Sequence, residues 1–130
     1  MHVHTHNSEV ENRPWGKYEV LNRFLVLDSV GESSDVVVKK IVVMQNMRLS
    51  YQSHANRSEH WYVVSGTGLV VVDGKESRLS AGESISIAKS QKHRIGNTGN
   101  VPLVFIEVST GEVDENDIIR YEDDFGRVTQ

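Results

Sequence analysis

Gln52, His54, Glu59 and His93 are the residues whose types and spacing could do chemistry together. Residues i and i+2 of an extended chain project to one face, so Gln52 and His54 in Leu49-Ser50-Tyr51-Gln52-Ser53-His54 point the same way. Glu59 opens the largely apolar run Glu59-His60-Trp61-Tyr62-Val63-Val64, and His93 stands in a later strand. Two imidazoles, a carboxylate and an amide form a mixed nitrogen and oxygen set, which suits Zn, Mn, Fe or Co. Glu59 would be a costly buried charge without a cation. Gln52 is the weakest donor of the four and could equally satisfy a backbone group. These residues predict a metal-centred β-barrel.

The elements that must position them are short. Candidate strands are Tyr18–Leu21, Phe24–Leu27, Val36–Met44, Arg48–Gln52, Glu59–Val64, Gly68–Val72, Glu76–Leu79, Ser84–Ile87, His93–Ile95 and Leu103–Val108. Strands this frequent, bounded by Gly, Asn, Asp and Ser, indicate an all-β sandwich or closed barrel. Asp73-Gly74 is the strongest hairpin signal, of the two-residue type I′ kind, and the alternation in Ser84-Ile85-Ser86-Ile87 turns both isoleucines to the core. One short C-terminal helix is expected, capped by Asp114 and running through Asp117-Ile118-Ile119-Arg120.

At 130 residues the chain is one ordinary domain with room for a core. The expected division is a flexible His-containing tail over 1–12, carrying His2, His4 and His6, and a single domain over 13–130. A net charge of −4 gives no electrostatic reason to expect nucleic acid or an anionic membrane as partner. With no cysteine, disulfides, Cys-type zinc sites and thiol chemistry are excluded. No apolar stretch approaches the roughly 20 residues that span a bilayer, and the N-terminus lacks a signal-peptide apolar region. A cytoplasmic location is the default expectation.

Two blocks, one from Asn46 to Gly66 and one from Gly82 to Asn97, resemble the paired motifs of the cupin superfamily, with Gln52, Asn46, Ala88 and Ser90 as departures from its pattern. Arg13-Pro14-Trp15-Gly16-x-Tyr18, Leu49-Ser50-x-Gln52-x-His54, Arg57-x-Glu59-His60-Trp61, His93-Arg94, Ile106-Glu107-Val108 and Asp124-Phe125-Gly126-Arg127 are similar to type II phosphomannose isomerases. More narrowly they resemble the C-terminal cupin domain of the bifunctional mannose-1-phosphate guanylyltransferase/phosphomannose isomerases. The resemblance implies a cupin double-stranded β-helix, or jelly roll, with Gln52, His54, Glu59 and His93 holding one divalent metal ion. Zinc comes first, with Mn, Fe, Co and Ni as alternatives. It implies interconversion of mannose 6-phosphate and fructose 6-phosphate, with no guanylyl transfer. Asn56 stands where the family usually has a second His.

Arg57 and Arg94 flank the ligands and suit phosphate recognition, the other reading being solvated arginines. Lys40, beside Lys39 in an apolar strand, and Glu107 are the candidate catalytic bases, although one lysine of the doublet must face outward. His60 follows Glu59 directly and should face the opposite side, in a structural role. Trp15 and Trp61 read as packing rather than sugar platforms. The competing function is a non-catalytic metal- and sugar-binding cupin, a sensor or accessory protein; a dioxygenase is a weaker third. A homodimer covering exposed strand edges is the expected assembly.

Overall fold

The structure is a computed structural model and describes residues 9–129. Eleven strands follow in chain order: β1 (Glu9–Arg13), β2 (Gly16–Leu27), β3 (Ser33–Val43), β4 (Tyr51–Ser53), β5 (Arg57–Ser65), β6 (Thr67–Val72), β7 (Lys75–Ser80), β8 (Ser84–Ile87), β9 (His93–Asn97), β10 (Leu103–Gly111) and β11 (Ile119–Glu122). They form a six-stranded sheet ordered β1-β2-β3-β10-β5-β8 and a five-stranded sheet ordered β11-β4-β9-β6-β7. Every pairing is antiparallel. This is the jelly-roll architecture expected from sequence. His2, His4 and His6 lie outside the described residues; Glu9–Asn12, grouped with the tail on sequence, belong to β1.

Register explains why one barrel has an oily end and a polar end. Directly opposed residues on neighbouring antiparallel strands share a face. One row joins Val63, Phe105 and Ile41 across β5, β10 and β3. The next inward row is Trp61, Glu107 and Lys39, and the one beyond is Glu59, Ser109 and Val37. The core therefore gathers at one end around Trp61, Val63, Val70, Ile95, Leu103 and Phe105, all with at most 1 % exposure. Glu59, Glu107, Lys39 and Arg57 are buried at the other.

Three local features follow their residues. Asp73 and Gly74 both take positive φ, 47° and 80°, and Val72 pairs with Lys75, as a type I′ hairpin requires. Ile87 is buried, and Ile85 packs against the core from a half-buried position. Gly16 closes the β1–β2 turn, where a Cβ would lie 2.0 Å from the Val42 carbonyl oxygen; this close approach seats Trp15 in the core and leaves Arg13 beside the barrel mouth.

The C-terminal helix does not form. Asp114 does cap, accepting the Asn116 N–H on its side chain at 2.9 Å and the Asp117 N–H on its carbonyl at 3.0 Å, but this is a single turn. Ile119–Glu122 then pairs with β4 instead. A ladder partner outweighs the weak local preference for a helix.

Candidate metal centre

Ligand atoms of His54, Glu59 and His93 converge to within 4.8 Å of one another, and all three side chains are buried. Glu59 comes from the six-stranded sheet, His93 from β9 and His54 from the turn after β4. Nε2 of His54 lies 3.3 Å from Glu59 Oε2, and Nε2 of His93 lies 3.6 Å from Oε1. The opposite ring nitrogens decide the tautomers. Nδ1 of His54 is 2.7 Å from the Asp117 carbonyl oxygen, and Nδ1 of His93 is 2.8 Å from that of Gln91. A carbonyl only accepts, so each Nδ1 donates and each Nε2 presents a lone pair towards Glu59. Two lone pairs and a carboxylate facing one another repel unless positive charge lies among them, and Arg57 supplies part of it by donating to His54 Nε2 and Glu59 Oε2. Carbonyl-oriented imidazoles are also the arrangement that metal-ligating histidines use. The donor set therefore fits a divalent ion.

Electrostatics point the same way. Burial, and after it the Arg57 charge, pushes the His54 imidazole down to about 4. Burial likewise lowers His93. Both rings are neutral near neutral pH, as ligation requires. Gln52 is the backbone partner of His93 and lines the same cavity, with its Nε2 donating to Ser50 Oγ at 3.0 Å. That bond engages the amide nitrogen, so the amide oxygen is the atom that a cation would use.

Arg57 and Glu107 complete the buried group. Arg57 Nε donates to Glu59 Oε2 at 3.0 Å, Nη2 to His54 Nε2 at 3.2 Å and Nη1 to the Asp114 carbonyl at 3.4 Å. Glu107 accepts from Trp61 Nε1 at 3.2 Å, and that N–H also reaches Glu59 Oε1 at 3.1 Å. Burial, together with the Glu59 charge, pushes the Glu107 carboxyl up to about 7. Trp61 is thus both core packing and the hydrogen-bond link between two carboxylates.

Several residues sit differently from expectation. Lys40 is exposed, opposite Glu19 and Ile106, and does not line the cavity. Alternation along β3 turns Lys39 inward instead, where Nζ contacts Glu115 Oε1 at 2.7 Å and lies 4.4 Å from the Tyr18 ring. Arg94 follows inward-facing His93, so it alternates to the outer side of β9, 5.8 Å from the Tyr51 ring and 3.8 Å from Glu122; its guanidinium borders both the cavity and an outer cleft. His60, by contrast, faces the opposite side from Glu59 as expected, exposed and hydrogen-bonded to Ser86. Lys39, Asp117 and Arg120 were not singled out on sequence. Lys39 was within reach through the parity of Ile41 and Val37, whereas Asp117 acts through a loop carbonyl that no motif marks.

The cavity holds about 130 Å³. Pockets for whole organic ligands run to roughly 300–1,000 Å³, so this one takes the reactive end of a small molecule with the remainder at its mouth.

A family model described as mannose-6-phosphate isomerase C-terminal matches residues 1–123. Mannose-1-phosphate guanylyltransferase ManC of Salmonella typhimurium is 41% identical over 128 residues, covering 98% of this chain and 25% of its own length. Alginate biosynthesis protein AlgA of Pseudomonas aeruginosa is 41% identical over 129 residues, covering 95% and 25%. The chain therefore spans about a quarter of the length of these curated relatives. Among solved structures, the capsular polysaccharide assembling protein CapF of Staphylococcus aureus superposes with a TM-score of 0.76 at 18% identity, over 92% of this chain and 35% of that one. KdgF from Halomonas sp. superposes with a TM-score of 0.62 at 19% identity, over 85% and 91%. At these identities the two structures speak for the fold, which is that of a cupin.

Proposed function

The chain belongs to the mannose-6-phosphate isomerase C-terminal family of sugar-phosphate-related cupins, and we propose that it is a metal-dependent aldose–ketose isomerase of the mannose 6-phosphate to fructose 6-phosphate type. The observation that carries this reading is the convergence of two tautomer-fixed imidazoles on Glu59, with Glu107 one Trp61 N–H away. A divalent ion held by His54, Glu59, His93 and the Gln52 oxygen would supply Lewis acidity to the sugar oxygens at C1 and C2. Zinc comes first, with Mn, Fe, Co and Ni as alternatives.

The chain's own groups account for the proton. Isomerisation moves one proton from C2 of the aldose to C1 of the ketose and one between the two oxygens, with nothing gained or lost. Glu107, a buried carboxyl whose proton burial helps retain, is the group proposed for the carbon-to-carbon transfer, accepting the proton from one carbon and returning it to the other. Trp61 Nε1 fixes its orientation, and Lys39 is its cross-strand neighbour. Lys40, on the outer face, has no part in this scheme.

Metal analysis of the purified chain, followed by mannose 6-phosphate isomerisation with Zn, Mn, Co and Fe restored in turn, tests the reading. One ion per chain and turnover that chelation removes are expected. A bound ion without turnover on any metal favours the second reading, a non-catalytic metal- and sugar-binding cupin. One observation supports that alternative: Arg57 already places positive charge against both His54 and Glu59. The cysteine-free composition is compatible with the cytoplasmic setting that either reading takes. Among the described residues, no helix is long and apolar enough to cross a membrane.

A homodimer is part of the proposal. Leu25 and Leu27 project from one face of β2 at 65% and 70% exposure, flanked by exposed Phe24 and Val26. Among the described residues β1 pairs with β2 only as far as Val20. An exposed apolar strand invites a second copy. Light scattering should give twice the chain mass of 14.6 kDa, and Leu25→Glu with Leu27→Glu should return the monomer. A monomeric wild-type chain would refute the dimer.

A further inference from the structure

Arg120 has no local purpose in the structure. Its Nε is buried without a hydrogen-bond partner, and its side chain makes no ion pair among the described residues. Its neighbours are cationic: Arg127 and Arg13 line the same cavity mouth. Their carboxylate partners are already engaged. Asp123 holds Arg127 through Nε at 2.7 Å and Nη2 at 3.1 Å, and Glu11 lies 3.4 Å from Arg13. Burial, then Arg127 and Arg13, lowers the Arg120 guanidinium from its ordinary range, opposed by Asp123. A guanidinium left short of hydrogen bonds among other guanidinia is a site that an anion would complete.

Register says where that anion would lie. Arg120 is directly opposite Gln52, and Gln52 is directly opposite His93. Opposed residues share a face, so all three project into the barrel in one row across β11, β4 and β9. Two strand spacings of ~4.8 Å put the ends of that row about 10 Å apart. Five C–C bonds of ~1.5 Å in an open hexose chain, with an ester phosphate added, reach roughly the same distance. The 130 Å³ cavity is too small for the whole ligand, which leaves the far end of a sugar at this mouth.

We infer that Arg120, supported by Arg127 and Arg13, is the subsite for the phosphate ester of the sugar, with C1 and C2 at the His93 end. The assignment rests on the sugar-phosphate reading above and replaces the pair expected on sequence. Arg57 directs three of its five N–H donors to Glu59, His54 and the Asp114 carbonyl, deep among the candidate ligands rather than at the mouth. Arg94 also has a buried Nη2 without a partner and borders the cavity, but its Nε donates to the Leu49 carbonyl and its Nη1 lies 3.8 Å from the Glu122 carboxylate.

Calorimetric binding of mannose 6-phosphate and of mannose to the Zn-loaded chain tests the subsite, using wild type, Arg120→Ala, Arg120→Gln and Arg94→Ala. A charge-assisted contact supports a 10- to 100-fold loss. That loss is expected for mannose 6-phosphate in both Arg120 variants, with mannose binding and metal content unchanged and a smaller loss for Arg94→Ala. Wild-type affinity in the Arg120 variants, or a larger loss at Arg94, overturns the inference. So does equal binding of the two sugars by wild type. Isomerisation is scored separately: phosphate selectivity lost at Arg120 in a chain without turnover would uphold the subsite and defeat only the isomerase reading.

Discussion

Replacing His54 by Ala is expected to abolish metal retention while the β-sheets persist. The substitution deletes one of two lone-pair nitrogens aimed at Glu59. Even residues that merely orient a ligand cost roughly 10–100-fold in metal affinity when changed, so removing a ligand itself should cost at least about 100-fold. The fold has separate support, because the apolar rows around Phe105, Val63 and Leu103 lie at the other end of the barrel. The Asp117 carbonyl loses its imidazole partner, a penalty of about 1–3 kcal/mol against a typical total stability of about 5–15 kcal/mol. Elemental analysis after dialysis and far-ultraviolet circular dichroism check both halves. Wild-type metal content would remove His54 from the ligand set; a wholly unfolded variant would make the site structural and take away the main support for catalysis.

Glu107→Gln should lower kcat by roughly 10²- to 10⁴-fold, the usual contribution of a positioned acid–base group, or about 3–5 kcal/mol of barrier. Gln keeps an oxygen for the Trp61 N–H and removes an ionisable group whose charge burial disfavours. The variant should therefore fold, bind one ion and keep its affinity for the sugar phosphate. Lys40→Ala, on the exposed face of the neighbouring strand, should turn over at the wild-type rate. Steady-state kinetics on both variants at fixed metal occupancy decide the matter. Full activity in Glu107→Gln would move the proton transfer to another group, with Lys39 next in position.

The gathering of His54, Glu59 and His93 was legible because much of its geometry is local. Gln52 and His54 share a face through period-two alternation alone, and Glu59 stands in a strand whose Trp61 and Val63 must face inward with it. The hairpin at Asp73-Gly74 was legible for a similar reason, since both residues tolerate positive φ. The lysine doublet was not. Its neighbours are apolar on both sides, so parity depended on which face of β3 met the barrel interior, and that is set by pairing with β10.

Residues near the C-terminus show the sharpest division. Asp114 and the residues after it carry a real helix-start signal, and the Asp114 cap forms. Yet Ile119–Glu122 becomes β11, because β4 offers a ladder that an isolated short helix cannot match. That choice places Arg120 in one row with Gln52 and His93, residues far from it in the chain. It also brings the Asp117 carbonyl to His54 and lets Asp117 Oδ1 and Oδ2 accept the N–H groups of Ala55 and Asn56. By itself the amino-acid sequence determined the all-β barrel and singled out His54, Glu59 and His93, the side chains that the fold gathers into one buried group, all properties of residue type and short-range periodicity. Only the tertiary structure decided the His tautomers, the inward lysine and the arginine at the mouth, because each depends on a partner that strand pairing brings from elsewhere in the chain.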